Sequence, residues 1–209
     1  FHSNEPDTSV ADFVAAGLGL KHNDLSRVLS RRDKAAMKDA LSAAGVRHTP
    51  YVRATDPRHV AAFVETHGLP VVVKTPACAS SADVSVCESV DEATACVAEI
   101  ISRPSPWGHL PAAAVVEKFI EGEEYAINFM ALDGRLHATD MWHYERHVSD
   151  SGAVLYLQVA SVDVTACIYE ALVEYAKEVC KAVGIRHGPA HVEVKDAPQG
   201  PVMVEIGAR

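Results

Sequence analysis

Two glutamates near the C-terminal end have the spacing that first suggests chemistry. His191-Val192-Glu193-Val194-Lys195 alternates polar and apolar residues, the period of a strand, so Glu193 shares a face with His191 and Lys195 while the valines point away. Pro198-Gln199-Gly200-Pro201 supplies a turn, and Val202-Met203-Val204-Glu205-Ile206 returns as an antiparallel neighbour. Glu193 and Glu205 lie at about equal distances from that turn and are expected side by side on one face. Two facing carboxylates repel unless a cation sits between them, and oxygen ligands with retained water are what Mg²⁺ prefers.

Earlier in the chain, the apolar run 112–116 leads into Glu117-Lys118-Phe119-Ile120-Glu121-Gly122-Glu123-Glu124 and resumes as Tyr125-Ala126-Ile127-Asn128-Phe129-Met130. A buried strand that breaks and restarts offers backbone donors and acceptors, with carboxylates beside them, at the lip of an apolar cleft. That suits a purine and its ribose. Lys74 ends the β-branched run 69–74, and the small-residue loop 75–83 after it lets backbone N–H groups approach oxyanions. The loop is not a P-loop, since it lacks G-x-x-x-x-G-K and its lysine comes first.

These residues need elements to hold them. Asp33 caps a helix over 34–44, with Gly45 as the left-handed residue beyond its end. A strand is expected over 48–53, then a helix opened by Asp56-Pro57 that turns Val60, Phe63 and Val64 inward and closes at Gly68. Ser89-x-x-Glu92 is a capping box for a helix to Ile101. Val10, Phe13 and Val14 fit one face of an opening helix over 7–17. Asp133-Gly134 marks a hairpin whose returning strand, 136–142, leads to Trp142 and Tyr144 as a wall of the substrate cleft. His143 and His147 sit in an extended pattern and do not form a zinc face. After a strand over 154–159, Asp163 begins the longest helix, in which Ile168, Leu172, Tyr175, Val179 and Val183 share a face. Helices and strands alternating in this way make an α+β sandwich.

Composition narrows the function classes. With 209 residues, 48% of them hydrophobic and 22% charged, the chain has the make-up of an ordinary globular protein. A formal charge of -9 without a run of basic residues argues against nucleic-acid binding. No stretch approaches the roughly 18 apolar residues of a membrane span, and the first residues lack the pattern of a signal peptide, so a cytoplasmic enzyme is expected. The 5 cysteines are scattered without a C-x-x-C and read as reduced thiols.

The succession of motifs from about Arg32 to Arg209 resembles the ATP-grasp superfamily. That family has two lysines, a phosphate loop, a hinge of the form strand, Glu-x-φ-φ-x-G-x-E, strand, and then a strand Glu, a turn and Glu-Ile-Asn-x-Arg. The resemblance implies an α+β ATP-grasp fold, two lobes clasping a nucleotide, with ATP and Mg²⁺ as cofactors. Lys34 and Lys74 would hold the α/β-phosphates, and Ser80 and Ser81 would stand in for the loop glycines as phosphate donors. Glu117, Lys118, Phe119 and Ile120 would face adenine, and Glu124 would hold the ribose hydroxyls. Glu193 and Glu205 would bind Mg²⁺, with Glu205 and Arg209 as catalytic residues. This chain departs from the family in having no glycine in the loop 75–83 and in having Gly207 where a metal-binding Asn is usual.

Gly188-Pro189-Ala190-His191-Val192-Glu193 together with Glu205-Ile206-Gly207-Ala208-Arg209 looks particularly like the carboxylate–amine ligases that join amino acids. The expected partners are therefore a small-molecule carboxylate and an amine, without nucleic acid or membrane, and with a homodimer as an open assembly state. The family's N-terminal open-sheet domain and the sequence beyond its Arg have no counterpart here, so a fragment is expected. Its parts would be a tail of a preceding domain and linker over 1–32, a small nucleotide-binding lobe over 33–118 and a larger antiparallel catalytic lobe, incomplete at its C-terminus, over 119–209. A carboxylase or nucleotide-biosynthesis ligase is one alternative. A non-catalytic nucleotide-binding module, suggested by the glycine-free loop and Gly207, is the other.

Overall fold

The strands gather into two antiparallel sheets, each with helices on one face. The structure, a computed structural model, describes residues 7–77, 84–104, 111–148 and 154–208. Its helices are α1 (Thr8–Gly17), α2 (Lys34–Ala43), α3 (Arg58–His67), α4 (Val90–Ser102) and α5 (Glu170–Ala182). Its strands are β1 (Tyr51–Ala54), β2 (Val71–Lys74), β3 (Val84–Cys87), β4 (Ala114–Lys118), β5 (Glu123–Leu132), β6 (Arg135–Val148), β7 (Val154–Val162), β8 (Gly188–Ala197) and β9 (Gly200–Ala208). This is the α+β class that the alternation of elements predicts. Among the described residues no helix is long and apolar enough to cross a membrane.

Residues 49–120 and 146–156 form one compact unit, and residues 1–48, 121–145 and 157–209 form another. The first unit contains a sheet in the order β1-β4-β2-β3. Its core joins Val60 and Phe63 of α3 and Val97 and Ile100 of α4 to Val71, Val73, Ala114 and Val116 of the sheet. Strand alternation then sends Lys74 and Glu117 to the face away from the helices. Helix α4 starts at the expected cap, Ser89 Oγ accepting from the Glu92 N–H at 3.2 Å, but Glu92 Oε2 accepts from the N–H of Glu88, one residue before the cap, at 2.9 Å.

The second unit holds a sheet in the order β7-β6-β5-β8-β9. Helices α2 and α5 bury one face of it, packing Met37, Leu41, Leu172 and Val179 on Ile127, Phe129, Met141, Val192 and Ile206. Asp33 Oδ1 caps α2 by accepting from the Ala36 N–H at 2.7 Å. Residues 33–48, expected in a lobe with 49–118, thus lie in the unit of β5, β8 and β9, because Met37, Ala40 and Leu41 belong to this core. Gly122, at φ +134°, makes the bend before β5, and a Cβ there would run into the Asp196 carbonyl.

Three local expectations are corrected. The first strand begins at Tyr51 rather than at residue 48. The last helix begins at Glu170, after a 3-10 turn over Cys167–Tyr169 that leaves Ile168 exposed, because Asp163 binds the Thr165 N–H and hydroxyl and closes a turn of its own. Helix α1 points Val10, Phe13 and Val14 outward and buries Thr8 and Asp12. Charge anchors it: Asp12 accepts from Arg31 Nη2 and from the Asn23 N–H, both at 2.9 Å, and the pair with Arg31 is buried.

The second sheet contains two register shifts, each placing a polar pair. Between β8 and β9 the pairing is Val194 with Met203 but Glu193 with Glu205, so Val204 is an extra residue. Between β5 and β6 it is Phe129 with Ala138 but Asn128 with Asp140, so Thr139 is extra. Tyr175 of α5 supports the first bulge from the core side, its hydroxyl accepting from the Met203 N–H at 2.8 Å and donating to the Arg47 carbonyl at 2.7 Å.

Burial pushes the Tyr175 hydroxyl up to about 12, with the Met203 hydrogen bond acting weakly the other way. A phenol whose folded value lies above its unfolded value of about 10 contributes stability that is complete below pH 10 and is lost as pH rises through 12. Urea titrations of the wild type should therefore lose on the order of 2 kcal/mol across that window beyond what Tyr175→Phe loses. At neutral pH Tyr175→Phe itself should cost about 1–3 kcal/mol, since the Met203 N–H and the Arg47 carbonyl lose their shared partner.

Candidate functional site

In the first unit Lys74 and Glu117 meet on the sheet face away from α3 and α4. Lys74 closes β2, and its ammonium forms an ion pair with Glu117 of β4, both side chains being almost fully buried. Lys118 turns its ammonium onto the Leu69 carbonyl at 2.8 Å. Two backbone donors of the expected adenine segment have strand partners, the Lys118 N–H on the Pro50 carbonyl at 3.1 Å and the Phe119 N–H on the Pro70 carbonyl at 3.2 Å. A purine at 117–120 would therefore find carbonyls rather than N–H groups at these two residues.

In the second unit the face away from α2 and α5 carries two cross-strand rungs. The first runs from Asp140 of β6 through Asn128 of β5 and His191 of β8 to Gly207 of β9. The next runs from Trp142 through Ala126 and Glu193 to Glu205. Glu193 and Glu205 are thus direct cross-strand neighbours, as the sequence reading expected. The reading counted equal distances to the turn, but Glu193 lies four residues before Ala197 and Glu205 five after Gly200, and the Val204 bulge makes up the difference. Lys34, the first residue of α2, is buried with its ammonium 3.0 Å from Glu205 Oε1. Glu124 is buried on the same face of β5, opposite Tyr144 on one side and Lys195 on the other.

Hydrogen bonds link the first rung to the second. Asp140 accepts from the Asn128 amide, from Thr139 Oγ1 at 2.8 Å and from Trp142 Nε1 at 2.6 Å. Burial raises the Asp140 acid, but these donors outweigh it and hold the group below the ordinary carboxylate value. His191 Nδ1 lies 2.8 Å from Asn128 Oδ1, and His191 Nε2 lies 3.5 Å from Glu193 Oε1. Sequence reasoning expected Trp142 as a cleft wall and missed the roles of Asp140 and Asn128. Their alternation marks them as outward-facing, but nothing in Thr139 announces the bulge that aligns them.

Ser80, Ser81 and Arg209 lie outside the described residues. Among the described residues, no group of three or more His, Cys, Asp or Glu side chains stands close enough to hold a metal ion. Any ion on Glu193 and Glu205 would need phosphate oxygens and water to complete its shell, a mixed set that suits Mg²⁺.

A model of the ATP-grasp domain matches residues 67–209. The chain belongs to the ATP-grasp family. It is 27% identical over 208 residues to the dapdiamide A synthase of Enterobacter agglomerans, covering 99% of this chain and 49% of that protein. The crystal structure of L-amino acid ligase from Bacillus licheniformis superposes with a TM-score of 0.75 at 21% identity, over 99% of this chain and 47% of that one. The D-alanine–D-alanine ligase of Bacillus anthracis complexed with ATP does so with a TM-score of 0.73 at 16% identity, over 100% of this chain and 66% of that one. The two solved structures show the shared fold, and the chain spans about half the length of the synthase it matches.

The buried ion pair sets what Lys74→Met should do. Deleting one member of such a pair leaves the other charge buried, at a cost of about 3–5 kcal/mol. Urea denaturation should show Lys74→Met destabilised by that order, and Lys74→Met with Glu117→Gln should recover most of the loss. Two variants that simply add would mean the pair is not coupled.

Proposed function

We propose that this chain carries the ATP-grasp machinery of an ATP- and Mg²⁺-dependent cytoplasmic ligase that activates a carboxylate as an acyl phosphate and joins it to an amine. Amino acids are the proposed substrates and a dipeptide or amide the product. The observation that carries the reading is the in-register Glu193–Glu205 pair with the Lys34 ammonium on its second member. The names of two similar proteins, a dapdiamide A synthase and an L-amino acid ligase, support the substrate class. The free thiols of Cys87, Cys96, Cys167 and Cys180 fit a reducing compartment.

In the proposed reaction a carboxylate oxygen attacks the γ-phosphorus of ATP and ADP departs. The amine nitrogen then attacks the acyl carbon, phosphate leaves, and the nitrogen gives up a proton to become the amide. Bound Mg²⁺ supplies neutralisation of the phosphate charge. Glu193 and Glu205 are the residues to hold it, and Lys34 sits where it can neutralise Glu205 or a phosphate oxygen. Lys74 is the proposed phosphate cation of the first unit, with Ser80 and Ser81 as donors beside it. Glu117, Lys118, Phe119 and Ile120 are proposed around adenine and Glu124 at the ribose. Arg209 is proposed to stabilise charge on the transferring phosphoryl group, so that catalysis rests on positioning and electrostatics.

Glu193→Gln should leave the melting temperature of the ligand-free protein nearly unchanged, since Glu193 is partly exposed. The same substitution should abolish the rise in melting temperature that Mg·ATP gives the wild type. In the full-length protein, phosphate release from ATP should require a carboxylate and an amine together. Release indifferent to both would identify a nucleotide-binding module instead.

A further inference from the structure

Two thiols of the first unit stand in contact at the corner where β3 runs into α4. Cys87, the last residue of β3, is buried in the core formed with Val71, Val73 and Val97. Cys96 of α4 is partly exposed and packs against that core. Their sulfurs lie 3.9 Å apart. The corner between them is held by its own hydrogen bonds, since Ser89 Oγ accepts from the Glu92 N–H and Glu92 Oε2 from the Glu88 N–H. A thiol is a weak donor and a weak acceptor, so the contact contributes little as a polar interaction. What the two sulfurs can do together is covalent. A disulfide bond of about 2.05 Å forms if each sulfur moves by about 1 Å, a displacement that side-chain rotation supplies.

We propose that Cys87 and Cys96 are a redox modification site, a dithiol that a peroxide converts to a disulfide joining β3 to α4. Cys96 is the sulfur within reach of solvent and reacts first. It attacks one peroxide oxygen, the O–O bond breaks, and the leaving hydroxide takes the thiol proton as water, so that Cys96 becomes a sulfenic acid. The Cys87 sulfur then attacks the Cys96 sulfur, the S–O bond breaks, and the departing hydroxide takes the Cys87 proton as a second water. The two thiols lose two electrons and the peroxide gains them. Burial first, and then Cys96, Glu92 and Glu88, push the Cys87 thiol up to about 12. Cys87 is thereby kept from reacting with peroxide itself, and its attack on Cys96 is the slow step. The bond would act on more than the corner. In the order β1-β4-β2-β3 the last strand is an edge, and Val84 at its start pairs with Lys74 at the end of β2. Oxidation fastens this edge strand to α4, and with it the far anchor of the loop 75–83, in which Ser80 and Ser81 are proposed as phosphate donors.

The test treats the full-length protein in its native state with hydrogen peroxide and then alkylates the remaining thiols. A glutamate-specific protease cuts after Glu88 and Glu92 and so separates the two cysteines for mass spectrometry. The expected product is a pair of unalkylated peptides joined through Cys87 and Cys96 and released by dithiothreitol. It should form more slowly than the Cys96 sulfenic acid that dimedone traps. The oxidised protein should melt a few degrees above the reduced one, as a cross-link closing a short loop does, and Cys96→Ser should remove that rise. Peroxide that leaves both thiols open to alkylation would overturn the inference. So would Cys96 carried on to the sulfinic acid beside a free Cys87, or a bridge from either sulfur to Cys78, Cys167 or Cys180. The mapping is done on the wild type without nucleotide, so it is independent of whether Cys96→Ser folds, and its failure leaves the ligase reading standing.

Discussion

The second unit is governed by the requirement that one face of its sheet be apolar. Ile127, Phe129, Met141, Val192 and Ile206 are sealed under α2 and α5. Strand alternation then sends Asn128, Asp140, Trp142, His191, Glu193 and Glu205 to the opposite side, so the core and the polar face are consequences of one period. A one-residue slip would exchange them. The bulges at Thr139 and Val204 are tolerated because each begins a new register and leaves the apolar set inward on both sides of it. Tyr175 shows the core's share in this, since its hydroxyl takes the Met203 N–H beside the Val204 bulge.

Charge burial points the same way. Arg31 with Asp12, Lys34 with Glu205, and Lys74 with Glu117 each place a cation inside the protein at a desolvation cost that its partner only partly offsets. A hydrophobic pair of similar volume would usually stabilise at least as well. The Arg31 pair has a structural use, because it fastens α1, whose apolar side faces outward. Lys34 and Lys74 fasten no such helix. Under the proposed function their burial beside acids would hold cations in place for an anionic ligand, at the stability cost that breaking either pair should reveal.

Much of this was legible in the chain itself, and the failures have physical causes. Asp33 and Ser89 announced their helices because a cap is a local interaction between residues three apart. The Glu193–Glu205 pairing was legible because the Pro198-Gln199 turn joins the two strands directly, with Ala197 opposite Gly200. The outward side of α1 was not, since an apolar stripe states its period but not its partner. The Asp140–Asn128–His191 rung was hidden for a different reason. It depends on long-range pairing of β5 with β8 and on a bulge at Thr139 that no residue type marks. Lys74 was read as a phosphate cation alone, and its partner Glu117 comes from a distant strand that only the fold brings beside it.

The sign of charge on the polar face constrains the order of events in the proposed chemistry. Asp140, Glu124, Glu193 and Glu205 lie along this face, with Lys195 on β8 and the Lys34 ammonium beside Glu205 among the described residues. The carboxylates of this face repel a triphosphate that approaches without a cation, and the repulsion grows as water is excluded. A divalent cation reverses that balance by bridging carboxylate and phosphate, so nucleotide and metal should arrive as one species. The same field disfavours early binding of the acceptor carboxylate, because it too is an anion. In the proposed reaction a cation on Glu193 and Glu205 would therefore have a second use, since it lessens the repulsion between these acids and the carboxylate that is to be activated.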